Sequence, residues 1–358
     1  MTLKKRFGLF IVLIIVIALG YLLLAPVPIK PAAWNPPTAP TLTGQFAQNT
    51  RLSPVQKLSI GEGHKPEDVA LDAEGKIYAG FEDGRIMVLQ PDGTQPRVFA
   101  NTAGRPLGLV FDPAGNLIVT DAIKGLLSVN KSGEVKVLAT EADGEKFGCL
   151  NDLDVGADGT IYFTEASHKF PMSQFTNDML EHQPNGRLLA LDPQTQKPRT
   201  LLRNIYFANG VAVSPDQSFV LVAETGKYQV RRFWLKGPQA GHDEVFIDNL
   251  PGFPDGISSN GKDKFWLALV TPRQALFDET LLPHPFLRKV VARLPKFLQP
   301  APKRYSFVLA LDSQGKVIEN LQNGPPDCFA QISNVVEHNG TLYFGSIGED
   351  TVGRFQLR

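Results

Sequence analysis

The sequence predicts an all-β fold, a six-bladed β-propeller preceded by an N-terminal transmembrane helix. Three observations predict it: a strand–turn–strand unit that recurs six times, a long uncharged apolar run near the N-terminus, and an abundance of turn residues, with 32 Gly and 28 Pro in 358 residues.

The apolar run comes first in the chain. Lys4, Lys5 and Arg6 precede FGLFIVLIIVIALGYLLLA, residues 7–25, which carries no charge. At about 1.5 Å per residue it extends about 28 Å, close to the hydrocarbon thickness of a bilayer. It is longer than the apolar region of most cleaved signal peptides, and it ends in Leu-Ala-Pro, a poor cleavage site. Residues 1–25 therefore read as an uncleaved signal anchor. Basic residues ahead of the span hold the N-terminus in the cytoplasm, which puts the remainder on the periplasmic, extracytoplasmic or lumenal side. Residues 26–45, PVPIKPAAWNPPTAPTLTGQ, are Pro-rich and read as a semi-rigid spacer. Residues 46–358 are left for the propeller.

The repeats begin at Pro66, Pro106, Leu150, Ala208, Pro254 and Ile332, at spacings of 40, 44, 58, 46 and 78 residues. Each is a short apolar strand, a turn with Asp, Gly or Asn, and a second strand. Units of this length with several strands each are the mark of a propeller. In GTIYFTEAS, Ile161 and Phe163 point one way and Tyr162 and Thr164 the other, the period-2 pattern of a strand. Segments such as GRLLALDPQT and KPRTLL supply third and fourth strands. PVQKLSIG, residues 54–61, is expected to pair with the C-terminal strands and close the ring.

The two long spacings mark insertions at residues 168–185 in blade three and 273–304 in blade five. In the second, Phe286, Val290 and Leu294 recur at spacing four beside Arg288, Lys289 and Arg293. Two readings stand: a packed cap over the propeller, or a lid or membrane-resting helix over 286–298 with one basic side. Lys+Arg and Asp+Glu both number 36, so no basic face marks a nucleic-acid partner. Cys149 and Cys328 are too few for a disulfide scaffold; they either form one bridge in an oxidising compartment or, the preferred reading, stay as buried thiols.

The chemistry is expected where the inner strands start near the axis. The residues there are Glu67, Leu107, Asn151, Asn209, Asp255 and Ser333 or Asn334. Four of them are oxygen donors where apolar residues would be easier to bury. A buried carboxylate requires a partner or a metal, and no Lys or Arg stands at an equivalent start. Two carboxylates (Glu67, Asp255) and two amides (Asn151, Asn209) form an all-oxygen set that favours Ca2+ over Zn2+. Strand-end hydrogen bonding is the simpler explanation for one or two such residues. Asp68 and Asp152 follow directly, and either form a deeper layer or hydrogen-bond between blades. Asp152 and Glu67 are candidate general bases. His64 and His168 stand near the pocket mouth, beside Leu107 and Ser333 as lining residues. No GxSxG, Walker or HExxH motif occurs.

Five stretches, GEGHKPEDVALD, GRLLALDPQT, YFANGVAVSPDQSFVLVAETGKYQVRRFWLKGPQAG, DNLPGFPDGIS and VVEHNGTLYFGS, resemble the strictosidine synthase-like family, which includes adipocyte plasma membrane-associated proteins. The resemblance covers roughly residues 52–358. It implies membership of the calcium-dependent phosphotriesterase superfamily, with the paraoxonases, gluconolactonases and senescence marker protein. That superfamily implies a six-bladed propeller and, in its hydrolytic members, an axial Ca2+. The ligand motifs carry over to Glu67 in PEDVA, Asn151 in LNDLD, Asn209 in ANGVA and Asp255 in PDGIS. Two positions depart from the pattern. Ser333 stands where true synthases have a catalytic glutamate, which disfavours Pictet–Spengler condensation. Leu107 stands where paraoxonases have a catalytic histidine. The expected function is calcium-dependent hydrolysis of a small-molecule ester or lactone. The alternative is a non-catalytic, membrane-anchored binding propeller with structural Ca2+.

Overall fold

The structure is a computed structural model and describes residues 3–324 and 327–357. The chain divides into two compact units. One comprises Pro37–Phe175, Pro184–Arg273 and Pro302–Arg358 and holds all the strands found among the described residues; the other comprises Met1–Pro36, Thr176–Gln183 and Gln274–Ala301.

The strand-bearing unit is a six-bladed β-propeller. Among the described residues it contains six four-stranded antiparallel sheets and one short two-stranded hairpin. The innermost strands are Val69–Leu71, Pro106–Phe111, Cys149–Val155, Ala208–Val213, Gly252–Ser259 and Ile332–His338. Asp-containing turns link five of the six inner pairs, and Asn339-Gly340 links the last. Asp72 Oδ1 accepts the amides of Glu74 (3.0 Å) and Lys76 (2.9 Å), and Gly75 takes φ +78°, which a side chain would strain.

The period-2 pattern has a simple consequence. Both faces of each blade are buried, one against each neighbouring blade. Ile161 and Phe163 join Ile118 and Leu126 of blade two in one core cluster, while Tyr162 joins Val211, Val220 and Val222 of blade four in another. The ring closes as expected: Gln56–Ser59 pairs antiparallel with Thr351–Gln356, Leu58 lying opposite Val352. Cys149 and Cys328 are buried free thiols.

The second unit is helical. Helix α1 (Leu3–Leu24) exposes its apolar side chains and is long and apolar enough to cross a membrane by length and composition. Helix α2 (Phe175–Glu181) belongs to the first insertion, α3 (Pro285–Arg293) to the second. Arg288, one of the basic residues of α3, is fully buried. Its guanidinium donates to the carbonyls of Leu180 (3.0 Å), Glu181 (3.2 Å), Leu282 (3.1 Å) and Ala32. Helix-end and loop carbonyls without intrahelical partners need donors, and one planar guanidinium serves four of them. Burial lowers the Arg288 pKa to about 10. Phe286 is 55% exposed. The part of the Pro-rich stretch up to Pro36 is pinned within this unit: Trp34 stacks on His182 at 4.4 Å between ring centres, and its amide donates to Leu282 O at 3.1 Å.

Candidate functional site

Five of the six inner strands carry a one-residue irregularity at the position singled out from sequence. Ala208 lies opposite Glu224 and Val211 opposite Val222, so three steps on one strand meet two on the other. The same slip falls beside Asn151, Asp255, Leu107 and Ser333. A β-bulge frees a residue from the ladder and re-aims its side chain. Glu67 has no ladder to leave, because its strand begins at Val69.

Hydroxyls on the adjacent blade hold three of these bulges and the backbone at Glu67. Thr120 Oγ1 donates to Asn151 O (2.6 Å), Thr164 Oγ1 to Asn209 O (2.6 Å), Thr225 Oγ1 to Pro254 O (2.7 Å) and Ser333 Oγ to Glu67 O (2.5 Å). Four of the six blades thus fix the site backbone of the next, and these buried carbonyls are satisfied. Ser333, expected only as a lining residue, has this bracing role. Small residues permit the close approach of neighbouring blades. A Cβ added to Gly210 would lie 2.5 Å from Asp255 O, and one added to Gly256 would lie 2.6 Å from Ser333 O. The pair Asn209-Gly210 therefore combines a re-aimed amide with a backbone pressed against the next blade. Gly210→Ala is expected to destabilise the propeller by about 1–3 kcal/mol through overpacking; a shift of the urea midpoint checks it.

Glu67, Asn151, Asn209 and Asp255 are all buried, at 8%, 5%, 5% and 6% exposure. The Asn209 amide donates to Thr225 Oγ1 (3.2 Å) and to the Asp255 carboxyl, which leaves its carbonyl oxygen for a cation. Burial holds the Asp255 pKa well above the ordinary range, and the Glu67 charge raises it further. Among the described residues no Lys or Arg pairs with Asp255. Glu67 is different. Arg105 donates to its Oε2 at 3.2 Å, opposing the upward push of burial. Arg105 was missed in the sequence. It stands one residue before the Pro106 strand start, and only the fold brings it against Glu67.

The next layer consists of bridges between blades. Asp68 accepts the amides of Val69 and Leu109, both at 2.6 Å, and a bond from the Asn334 side chain, joining blades six, one and two. Asp152 accepts the amides of Leu153 (2.8 Å) and Val211 (2.9 Å), joining blades three and four. Burial pushes Asp68 up to about 7 despite these amides, and raises Asp152 well above its usual value, with the Asp68 charge adding to the effect. An unfolded Asp titrates near about 3.9. Between that value and about 7 the folded chain holds more protons than the unfolded one. Stability of the chelated chain therefore falls as pH rises through this window. Denaturant midpoints across the window check this, and Asp68→Asn is expected to flatten the fall.

The remaining candidates lie apart from this cluster or add no donor to it. Leu107 is buried and apolar. His168 is exposed, with Nδ1 2.7 Å from Asn185 O. His64 is exposed and pairs with Asp350 at 3.0 Å. Among the described residues no group of three or more His, Cys, Asp and Glu could hold a metal, so a cation here depends on the oxygens of Asn151 and Asn209. The donor types fit a hard divalent cation: two buried carboxylates that repel one another, one of them without a basic partner among the described residues and bonded to the Asn209 amide.

The six-bladed propeller is a fold that this chain shares with solved proteins of low sequence identity. A solved gluconolactonase from Xanthomonas campestris has the same fold, with a TM-score of 0.61 at 19% identity over 93% of this chain and 99% of that one. The calcium-binding protein regucalcin from Agrobacterium tumefaciens is similar, with a TM-score of 0.60 at 14% identity over 84% and 92% of the two chains. The strictosidine synthase family model matches residues 151–238, and the strictosidine synthase-like N-terminal model residues 44–89. Protein strictosidine synthase-like 6 of Arabidopsis thaliana is 35% identical over 313 residues, 86% of this chain and 82% of that protein. Adipocyte plasma membrane-associated protein of Bos taurus is 34% identical over 361 residues, 95% and 87% of the two. The chain belongs to the strictosidine synthase-like family.

Proposed function

We propose that the chain is a membrane-anchored, calcium-dependent hydrolase of small esters or lactones. The observation that carries the proposal is the burial of Glu67 and Asp255 close enough to repel one another, with the Asn209 amide on Asp255 and Asp255 left without a basic partner among the described residues. Gluconolactonase and calcium-binding propellers of the same fold support it. Helix α1 supplies the anchor, in keeping with membrane association in the name of the bovine relative.

Glu67, Asn151, Asn209 and Asp255 would hold the ion. Bound Ca2+ would polarise the substrate carbonyl and so favour attack by water. Arg105 keeps Glu67 oriented through its Oε2. Thr164 and Thr225 lock the backbone around Asn209 and Asp255, so that the donors are arranged before substrate arrives. Of the two candidate bases, Asp152 has both oxygens occupied by amides, which favours Glu67.

The full chain in detergent should hydrolyse members of a panel of aryl esters and lactones, and chelation should reduce the rate about a hundredfold or more, the scale of several kcal/mol of carbonyl stabilisation. A folded chain that turns over none of the panel in calcium would contradict the proposal and leave a binding propeller.

A further inference from the structure

Four large apolar side chains project outward within thirteen residues of the second insertion: Phe286 (55% exposed), Leu287 (37%), Phe297 (84%) and Leu298 (56%). In the strand-bearing unit, by contrast, exposed large apolar residues such as Val98, Ile123 and Ile318 are scattered along the sequence. Isolated apolar residues on a surface are ordinary, whereas a dense group signals a partner. Lys289 and Lys296 lie in the same segment.

The occupant follows from what α3 is tied to. Arg293, in its last turn, donates to Leu22 O (2.9 Å) and Ala25 O (2.6 Å). These carbonyls belong to the C-terminal end of α1, which has no intrahelical donors left, and a cation there also suits the helix dipole. A membrane span ends at the headgroup region. A segment hydrogen-bonded to that end is therefore held at the same depth, and apolar side chains with lysines among them suit that depth.

We propose that residues 284–298 lie in the interface of the same bilayer that α1 crosses, with Phe286, Leu287, Phe297 and Leu298 inserted among the lipids. The inference rests on the reading of α1 as a span. It makes the second insertion a second membrane contact, which holds the helical unit to the surface instead of leaving it on a free tether. The buried Arg288 serves this arrangement: its bonds to Leu180, Glu181 and Leu282 make the segment a firm platform.

The test uses the full chain carrying one added cysteine, at Phe297→Cys, Phe286→Cys, Leu13→Cys or Ser132→Cys. Each is labelled under native conditions with an environment-sensitive fluorophore; Cys149 and Cys328 are buried. The labelled chains are placed in phosphatidylcholine–phosphatidylglycerol vesicles, with or without nitroxide lipids. Positions 297 and 286 are expected to emit at shorter wavelength than 132 and to lose emission to shallow nitroxides, while 13 loses emission to deep ones. Deep quenching at 13 with 297 and 286 unquenched overturns the interfacial contact and leaves the anchor standing. A blue shift at 297 that nitroxides do not quench means a protein surface covers it, a second copy included, and also overturns the inference. Loss of quenching at 13 as well removes the span, and the inference falls with it.

Discussion

Calcium at a hundred times its dissociation constant is expected to stabilise the chain by about 2.7 kcal/mol, and Asp255→Asn to remove most of that gain. The two halves of the prediction have different origins. Binding to the folded state alone stabilises by mass action, because Glu67, Asn151, Asn209 and Asp255 come from four different blades and are not assembled in the unfolded chain. The substitution acts through charge. Without an ion, Asp255 is a buried carboxylate raised by burial and by Glu67, so neutralising it relieves a repulsion. The calcium-free Asp255→Asn chain should therefore be at least as stable as the calcium-free wild type, yet gain little from calcium. A variant that is merely misfolded would lose stability in both conditions. Denaturant curves with calcium and with chelator separate these outcomes. Equal calcium gains in the two chains would show that Asp255 is not a ligand.

Deletion of residues 46–60 is expected to abolish cooperative folding. The segment supplies the outer strand Gln56–Ser59 of the last blade, and without it the strand Thr351–Gln356 becomes an open edge. It also buries Phe46 (6% exposed), Leu52 (0%), Leu58 (4%) and Ile60 (0%). Each such side chain contributes about 1.5–3 kcal/mol when fully buried. Together they amount to about 6–12 kcal/mol, comparable with the whole stability of a typical domain, about 5–15 kcal/mol. The ring cannot absorb this loss as it would a single core truncation, because the first and last blades are joined here. A broad, non-sigmoidal urea transition for the deleted chain, beside a sharp one for the intact chain, checks the prediction. A sharp transition with an unchanged slope would place closure elsewhere.

The repeat was legible because its signals are local. Turn residues such as Asp72 and Gly75 and the alternation of Ile161, Tyr162 and Phe163 act over a few residues. Polar residues at inner-strand starts were legible for the same reason, since Asn209 and Asp255 contradict strand preference within their own segments. The brackets around them were not. Thr164 serves Asn209 from 45 residues away, Ser333 serves Glu67 from 266 away, and Arg105 reaches Glu67 across 38 residues. A buried Thr reads in sequence as an ordinary strand residue, and a bulge is a property of two strands together. The orientation of α3 was illegible on similar grounds. Its spacing defines two faces, but which one turns inward depends on carbonyls of Ala32, Leu180, Glu181 and Leu282 that compete for Arg288.

A crystal of the chain grown in calcium tests the axial centre most directly. The expected result is density for a single ion among Glu67, Asn151, Asn209 and Asp255, with oxygen distances of about 2.4 Å. Density without an ion, with Arg105 still against Glu67 and the Asn209 amide still on Asp255, would contradict it.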